Sequence, residues 1–391
     1  MHTPNPYRGI SAHNRKSIFK AILSDRLNTS NRYNAQSHKT KSVSKKPNED
    51  SQGRFNTATS AVLTGVYELL RKKETVRELT DQDRLDDKIC LVTGGNSGLG
   101  FGIATQLAKR GAEVIITCRR PYPDKVKQLK KLSKSDRISL RLLELTDLES
   151  IDQFVKGLEH DGITLDVSIH NAGVTPPKAR KTKYGIDEMF MVNYLSKFYL
   201  INELLKSGVI PNNTYASNES KTEIPRVTII SSDSHQGASA ILIDKLGVFE
   251  PYKKANRGVS LYSYNKLILN TFAVELSRRL SPNGRVNVSV NPMCPGPVNS
   301  NIARDAPGFI NGILKLIFKL FFKDPQKAAL PVVYMAAAKE MENTTRKYLH
   351  MNRPKKMDEK CYDEETGKAL WAKSEKLIAE ITKPKQLSPI D

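Results

Sequence analysis

The chain has 391 residues, average apolar content and a formal net charge of +21 at pH 7. This length and composition favour one α/β domain of roughly 300 residues plus additional segments. The four cysteines, Cys90, Cys118, Cys294 and Cys361, form no Cys-x-x-Cys or Cys/His cluster, which favours reduced thiols and argues against a metal site. No stretch of the sequence reaches transmembrane length.

Much of the excess charge lies at the N-terminus, where residues 1–60 contain eleven Lys or Arg and three Asp or Glu, a balance of 11 − 3 = +8. Residues 1–57 are predicted to form a disordered basic tail, within which Ile18 to Leu27 could form a short basic amphipathic helix. An organelle presequence, a surface-binding helix and a solvated tail all fit this pattern. Localisation therefore stays open between cytoplasm, membrane association and an organelle. Residues 58–86 are predicted to be a helical lead-in.

A buried strand followed by a glycine turn organises the next segment. The apolar run 89–92 leads into Thr93-Gly94-Gly95-Asn96-Ser97-Gly98-Leu99-Gly100, and apolar residues then recur at helical spacing. Gly94 permits a tight turn, Gly98 allows the backbone to approach a pyrophosphate, and Gly100 allows helix and strand to pack closely. The spacing Gly-x-x-x-Gly-x-Gly departs from the common Gly-x-Gly-x-x-Gly fingerprint. By itself, the turn indicates a phosphate site only weakly.

Five further strands are predicted at 113–117, 138–143, 165–169, 227–230 and 286–290. Helical segments separate them, which implies parallel strands with crossover helices. Each chemically distinctive loop follows the C-terminal end of a strand. In open parallel sheets ligands bind there, so we expect these loops to meet over one crevice.

A tyrosine and a lysine lie four residues apart at Tyr262 and Lys266, just before an apolar helical stretch. On a helix the two side chains face the same way, and an ammonium near a phenol is expected to lower the phenol pKa and make it a usable general acid/base. Tyr264 cannot take this part because Ile268 stands four residues further on. Taken alone, the pair would more often be a surface feature of an amphipathic helix.

Four motifs in order resemble those of the short-chain dehydrogenase/reductase family: the glycine turn 93–100, His170-Asn171-Ala172-Gly173, Tyr262-x-x-x-Lys266 and the Pro-Gly turn 295–300. The resemblance implies a single α/β domain at 87–391, a Rossmann-type doubly wound parallel sheet with helices on both faces. The sequence departs from the family pattern at two positions, where His170 replaces an Asn and Glu144 replaces an Asp.

The family resemblance also implies the catalytic roles. Tyr262 exchanges the proton, Lys266 lowers its pKa and holds the nicotinamide ribose, and Ser232 orients the substrate oxygen. Asn193 supports a water relay to Lys266. Ser231 is the competing serine, and the long spacing from Ser232 to Tyr262 implies an insertion at about 241–259 that could enlarge the substrate mouth.

The implied cofactor is NADP(H), because Cys118 ends the second strand where an NAD enzyme would place an acid, and Arg119 and Arg120 follow it. These arginines could instead be solvated. The implied cofactor-binding residues are Thr93, Gly94, Asn96, Ser97, Gly98, Leu99, Gly100, Arg119, Arg120, Glu144, Leu145, Asn171, Ala172, Gly173, Tyr262, Lys266, Pro295, Gly296, Val298 and Ser300.

Softer similarity at 184–190, 232–235 and 370–375 points to the retinol-dehydrogenase-like and protochlorophyllide-reductase-like branch, with His235 expected to be structural. The expected activity is NADP(H)-dependent interconversion of a carbonyl and an alcohol on a small lipophilic substrate such as a retinoid, steroid or lipid aldehyde. A double-bond reductase of the same family and a non-catalytic basic scaffold are the alternatives. No specific nucleic-acid partner is expected, since the excess charge lies in a tail without interleaved aromatics.

The segment at about 301–325 is predicted to be a substrate lid. Its run 308–323 carries a wide apolar face edged by Lys315, Lys319 and Lys323, which suits contact with a membrane surface. The alternative is a helix buried against the protein's own core or against a homodimer partner.

Overall fold

The structure is a computed structural model that describes residues 75–218, 223–252, 255–296 and 324–382. Within these ranges eight strands form one sheet. They are β1 (Ile89–Thr93), β2 (Glu113–Cys118), β3 (Ile138–Leu142), β4 (Val167–His170), β5 (Arg226–Ile230), β6 (Ser289–Cys294), β7 (Leu349–His350) and β8 (Arg353–Pro354).

The described helices alternate with the strands along the chain. They are α1 (Gly98–Lys109), α2 (Pro123–Ser133), α3 (Leu148–His160), α4 (Glu188–Phe190), α5 (Ser196–Lys206), α6 (Ala255–Arg279), α7 (Pro325–Ala337) and α8 (Glu364–Thr382). A π-helical turn, Met191–Leu195, joins α4 to α5.

The sheet has the strand order β3-β2-β1-β4-β5-β6-β7-β8 and is parallel except for the last pair. Helices α3, α5, α6 and α8 pack on one face, and α1 and α7 pack on the other. Because the chain reverses its winding between β1 and β4, the carboxyl ends of these strands open into a crevice. This is the predicted Rossmann-type doubly wound α/β fold.

Strand β6 lies three or four residues later than predicted, at Ser289–Cys294 rather than at 286–290. The polar residues at its start are stabilised by contacts that are distant in sequence: the side chains of Ser289 and Asn291 both donate to the carbonyl of Thr344. Periodicity within the segment does not reveal these acceptors. The two-residue strands β7 and β8, which extend the sheet edge, were not predicted either.

The predicted helical lead-in is wrong for its described part, because residues 75–86 form turns and irregular chain. The Asp83 carboxylate accepts from the backbone of Thr80 at 2.7 Å and binds the Arg77 guanidinium, which stabilises a turn in place of a helix. The basic tail, the first part of the lead-in at 58–74 and the lid segment through residue 323 lie outside the described residues.

Three features of the described residues bear on the expected chemistry. All four cysteines are free and buried. No helix is long and apolar enough to cross a membrane. No group of three or more His, Cys, Asp or Glu side chains is arranged to hold a metal ion in these ranges.

Candidate active site

The glycine turn after β1 has the backbone geometry that its sequence predicted. Gly94 has φ = +67° and Gly98 has φ = +52°, a region that L side chains rarely adopt. Gly100 is required by packing, since a Cβ there would lie 2.2 Å from the carbonyl oxygen of Gly94. Ser97 begins α1 in extended conformation without a capping side-chain hydrogen bond. The first turn of α1 therefore faces the crevice without a cap from this serine.

Side chains after β4 fasten this turn to the neighbouring strand. Asn171 Nδ2 donates to the carbonyl of Thr93 at 2.9 Å, and Thr93 Oγ1 accepts from the backbone N–H of Ala172 at 3.1 Å. Thr93 is fully buried behind the turn. These contacts make the glycine turn and the Asn171–Gly173 segment one unit.

The strand ends enclose a cavity of about 1170 Å³. Most of the predicted cofactor-binding residues line it: Gly94, Asn96, Ser97, Gly98, Leu99, Arg119, Arg120, Glu144, Leu145, Asn171, Ala172, Gly173, Tyr262, Lys266, Pro295 and Gly296. Thr93 and Gly100 support the turn and are not part of the lining. Val298 and Ser300 lie outside the described residues.

Tyr262, Ser232 and Lys266 meet at one wall of this cavity. Tyr262 lies two turns into α6, and Ser232, which follows β5, lines the same cavity close enough to Tyr262 to influence its ionisation. Lys266 lies one turn further along α6 and is only 4% exposed. Its Nζ donates to the carbonyl of Ile230 at 2.8 Å and lies 5.4 Å from the centroid of the Tyr262 ring. The sequence-predicted triad is therefore brought together.

Burial controls the ionisation of this triad. It raises the pKa of Tyr262, and the nearby Ser232 hydroxyl partly opposes that rise. It also lowers the pKa of Lys266 to about 8. Burial therefore outweighs any lowering of the tyrosine pKa by Lys266 in this structure. The Lys266 amine lies over the ring and donates to the carbonyl of Ile230.

Known proteins resemble this chain in sequence. Residues 88–214 match the short chain dehydrogenase family. The chain is 31% identical over 292 residues to polyprenol dehydrogenase of Homo sapiens and 32% identical over 298 residues to retinol dehydrogenase 13 of Mus musculus. Each alignment covers 74% of this chain and 84% of the relative. The chain belongs to the short-chain dehydrogenase/reductase family. The resemblance to retinol dehydrogenases is likewise confirmed.

Solved structures agree on the fold of this short-chain dehydrogenase/reductase. An uncharacterized protein from Mycobacterium Paratuberculosis superposes with a TM-score of 0.58 at 25% identity, covering 78% of this chain and 98% of that one. The RhlG/NADP complex from Pseudomonas aeruginosa superposes with a TM-score of 0.51 at 21% identity, covering 70% and 97%. The second likeness concerns the fold alone.

As a family member the protein is an oxidoreductase that acts on CH–OH groups with a nicotinamide cofactor, NAD(H) or NADP(H). The residues present fit such a cofactor. Gly94 and Gly98 have positive φ and no side chain, so their backbone atoms form part of the cavity wall. The first turn of α1 has no side-chain cap from Ser97. The Glu144 carboxylate partly serves its own turn, since its Oε1 accepts from the N–H and Oγ1 of Thr146.

The two candidate serines have different environments. Ser232 reaches Tyr262, whereas Ser231 is 3% exposed and its hydroxyl has no protein partner among the described residues. His235 supports Ser232 from behind, because its Nδ1 lies 2.7 Å from the Ser232 carbonyl oxygen and its Nε2 accepts from the N–H of Asp358. These partners define the Nδ1–H tautomer, and burial lowers the pKa of the imidazole. His235 thus has a positioning role at Ser232.

Asn193 is a buried residue whose predicted support of a water relay to Lys266 stays a prediction. Its side-chain Oδ1 accepts from the N–H of Val174 and its Nδ2 donates to the carbonyl of Val174, both at 2.8 Å. The amide therefore clamps the segment after β4, and the residue is fully buried outside the cavity lining. The structure therefore shows this side chain in backbone support.

Tyr264 and the predicted insertion lie to one side of the chemistry. The Tyr264 hydroxyl accepts from the N–H of Leu242 at 2.9 Å, which anchors the segment before α6. Tyr252 in the same segment donates its hydroxyl to the carbonyl of Pro176, a cavity-lining residue. The cavity lining contains no residue from 241–259 that the structure describes, and the bond from Tyr252 to Pro176 links this segment to the lining.

Sequence reasoning missed several residues at the site. Val174, Val192 and Ile230 supply apolar lining, and Arg180 and Glu188 form an ion pair that also borders the cavity. Lys197, buried near the triad, was missed as well. The sequence signal for its burial is its position in a mostly apolar stretch at the start of α5.

Proposed function

We propose that this protein is an NADP(H)-dependent oxidoreductase that interconverts an alcohol and a carbonyl on a small lipophilic molecule of retinoid or polyprenol type. The observation that carries the proposal is the Ser232–Tyr262–Lys266 arrangement on the wall of the cavity. The names of the two relatives, polyprenol dehydrogenase and retinol dehydrogenase 13, support the substrate class. Apolar lining by Val174, Val192 and Ile230 supports it as well.

The residues act on a proton at the substrate oxygen. When bound, the nicotinamide supplies or removes the hydride at the carbon. In reduction, the Tyr262 hydroxyl gives its proton to the carbonyl oxygen while Ser232 donates a hydrogen bond to the same oxygen. In oxidation, Tyr262 takes the alcohol proton. Lys266 stabilises the tyrosinate that reduction leaves behind, and it would help to hold the cofactor together with the glycine turn.

The preference for NADP(H) rests on the end of β2. Cys118, the last residue of this strand, donates through its thiol to the carbonyl of Arg120 at 2.8 Å and so shapes the turn. Arg119 and Arg120 are both exposed and both line the cavity. Guanidinium groups can pair with a ribose 2′-phosphate, whereas NAD-specific sites usually place a carboxylate there.

Turnover by the purified full chain tests this function directly. The protein is incubated with NADPH or NADH and with retinal, a polyprenal, a steroid ketone or a water-soluble aldehyde, while cofactor absorbance and the product are followed. We expect alcohol formation from the lipophilic carbonyls and faster turnover with NADPH. Saturation of a carbon–carbon double bond without alcohol formation would instead support a double-bond reductase. Absence of turnover with every carbonyl would contradict the proposal.

Contact with a membrane surface is proposed from the sequence pattern of residues 308–323, which lie outside the described residues. An apolar face edged by lysines suits an anionic interface that would deliver a lipophilic substrate. Flotation on anionic vesicles, with Phe318→Glu as the matched variant, tests it. We expect wild type to float and the variant to float less. Wild type that stays in the soluble fraction would contradict membrane contact and leave burial against the core or a homodimer partner as the explanation.

A further inference from the structure

Lys197 is a buried lysine that the proposed chemistry does not use. It lies in the first turn of α5, only 1% exposed, among the largest fully buried side chains of the protein. No carboxylate pairs with it anywhere in the described ranges. A buried ammonium without a counter-ion is unfavourable, so this side chain needs a specific reason to be there.

The amine joins two backbone segments that carry site residues. Lys197 Nζ donates to the carbonyl of Ala172 at 2.6 Å and to the carbonyl of Val192 at 2.8 Å. Ala172 belongs to the cavity-lining segment after β4. Val192 lies in the π-helical turn, directly before Asn193. The lysine therefore bridges the cavity wall and the turn that positions Asn193.

Asn193 connects the same two segments, next to the bonds of Lys197. Its amide bonds twice to Val174, two residues after Ala172. Together Lys197 and Asn193 place three hydrogen bonds between the π-helical turn region and the segment 172–174, and Lys197 adds a fourth within the turn region, to Val192. That segment is in turn fastened to the glycine turn through Ala172 and Thr93. Displacement of the segment 172–174 would therefore also disturb the glycine turn.

The surroundings favour the uncharged amine. A neutral amine has two N–H donors, and Lys197 has two carbonyl acceptors. The ionisable side chains that act on it or are acted on by it are Lys266 from α6 and His170 from β4, and neither is anionic. His170 is fully buried and is hydrogen-bonded through Nε2 to Ser168. Burial, with the nearby Lys266, lowers the pKa of Lys197 well below its ordinary value.

We propose that Lys197 is a positioning residue that, as an uncharged amine with two N–H donors, holds the cavity-lining segment 172–174 against the turn bearing Asn193 and thereby sets cofactor affinity. The inference needs only the nicotinamide cofactor of the family and is independent of the proposed substrate. If Lys197 instead acts as a cation, replacement by the permanently charged arginine should preserve cofactor affinity.

Three substitutions separate these roles. Lys197→Met keeps the volume and removes the donors, Lys197→Gln keeps two uncharged N–H donors on a shorter chain, and Lys197→Arg imposes a charge. The control is Asn202→Leu in the same helix. Asn202 is 5% exposed, and its Nδ2 bonds only within the helix, to the carbonyl of Phe198. This control lowers stability without touching the segment 172–174.

Two readouts are measured on folded full-length protein. Calorimetry gives the Kd of whichever of NADPH and NADH binds wild type more tightly, and hydrogen exchange of the Val174 N–H is followed in cofactor-free protein. We expect Lys197→Met to bind at least about fivefold more weakly and to exchange faster, the scale of one net hydrogen bond. Lys197→Gln should recover part of both losses, Lys197→Arg should recover neither, and the control should match wild type in Kd.

Three results would overturn the proposal. Wild-type affinity and exchange in Lys197→Met would show that the donors hold nothing that matters, and wild-type behaviour of Lys197→Arg would show that charge is what the site needs. If Lys197→Met does not fold, the comparison of the Gln and Arg variants decides in the same direction. Loss of affinity in the Asn202→Leu control as well would assign the effect to general destabilisation and refute a specific tether.

Discussion

Replacement of Tyr262 by phenylalanine is the most direct perturbation of the proposed chemistry. The substitution removes one hydroxyl and keeps the ring on which Lys266 lies, 5.4 Å from the centroid. It also keeps the hydrogen bond from Lys266 to Ile230, because that bond does not involve the phenol. The lysine should therefore stay in place, and any loss of activity reports on the hydroxyl itself.

The expected loss follows from what the hydroxyl does. A missing general acid lowers turnover by at least about a hundredfold, which corresponds to about 2.7 kcal/mol or more in the activation free energy. Loss of the polar interaction with Ser232 is expected to lower the free energy of unfolding by no more than about 1 kcal/mol. Because Tyr262 is one lining residue among many, cofactor affinity should change little.

Tyr264→Phe is the matched control on the same helix. It removes a hydroxyl that accepts from the N–H of Leu242 at 2.9 Å, away from the cavity. The assay follows NADPH absorbance during reduction of a lipophilic aldehyde and gives kcat and KM separately, with cofactor titration and thermal unfolding as checks. We expect Tyr264→Phe to retain near wild-type kcat. Equal kcat in Tyr262→Phe and wild type, or equal losses in both variants, would refute the assignment of Tyr262 as the proton donor.

Three further outcomes are expected. Arg119→Ala should weaken NADPH binding about tenfold and leave NADH binding nearly unchanged in parallel titrations; tighter NADH than NADPH binding by wild type would contradict the assignment. Ser232→Ala should lower kcat by at least about tenfold in steady-state kinetics, while Ser231→Ala changes kcat little. A larger loss of kcat in Ser231→Ala than in Ser232→Ala would assign the catalytic role to Ser231 instead. The pKa of Lys266 is about 8 against an ordinary 10.5, so between these values the unfolded chain holds a proton that the folded protein lacks. The free energy of unfolding of wild type should therefore rise with pH across this window, relative to that of Lys266→Met, by up to about 3 kcal/mol. Denaturant unfolding at several pH values measures it, and the same pH dependence in both proteins would refute the prediction.

The features predictable from the sequence are those determined locally. Positive φ at Gly94 and Gly98 follows from the glycines themselves, and the common face of Tyr262 and Lys266 follows from a spacing of four on a helix. The convergence of the loops follows from their position after parallel strands. Each of these rests on covalent neighbours or on one topological rule, so no knowledge of side-chain partners is needed.

The features that escaped prediction depend on partners distant in sequence. The start of β6 at Ser289 depends on the carbonyl of Thr344, and the burial of Lys197 depends on the carbonyl of Ala172. The turn at Asp83 replaces a helix because an arginine and a backbone N–H both reach its carboxylate. None of these acceptors is visible in a hydrophobic pattern, which records which face is buried and not what meets the polar groups on it.

The sign of the Tyr262 pKa shift bears on the direction of the reaction. Spacing alone predicted a lowered pKa, but burial raises it, and Lys266 bonds to Ile230. Tyr262 therefore holds its proton across the neutral range, while Lys266, with a pKa of about 8, ionises near it. A site that starts with a protonated phenol can give a proton at once, which is what carbonyl reduction requires. Alcohol oxidation would first have to remove that proton, so we expect oxidation to need a higher pH than reduction does.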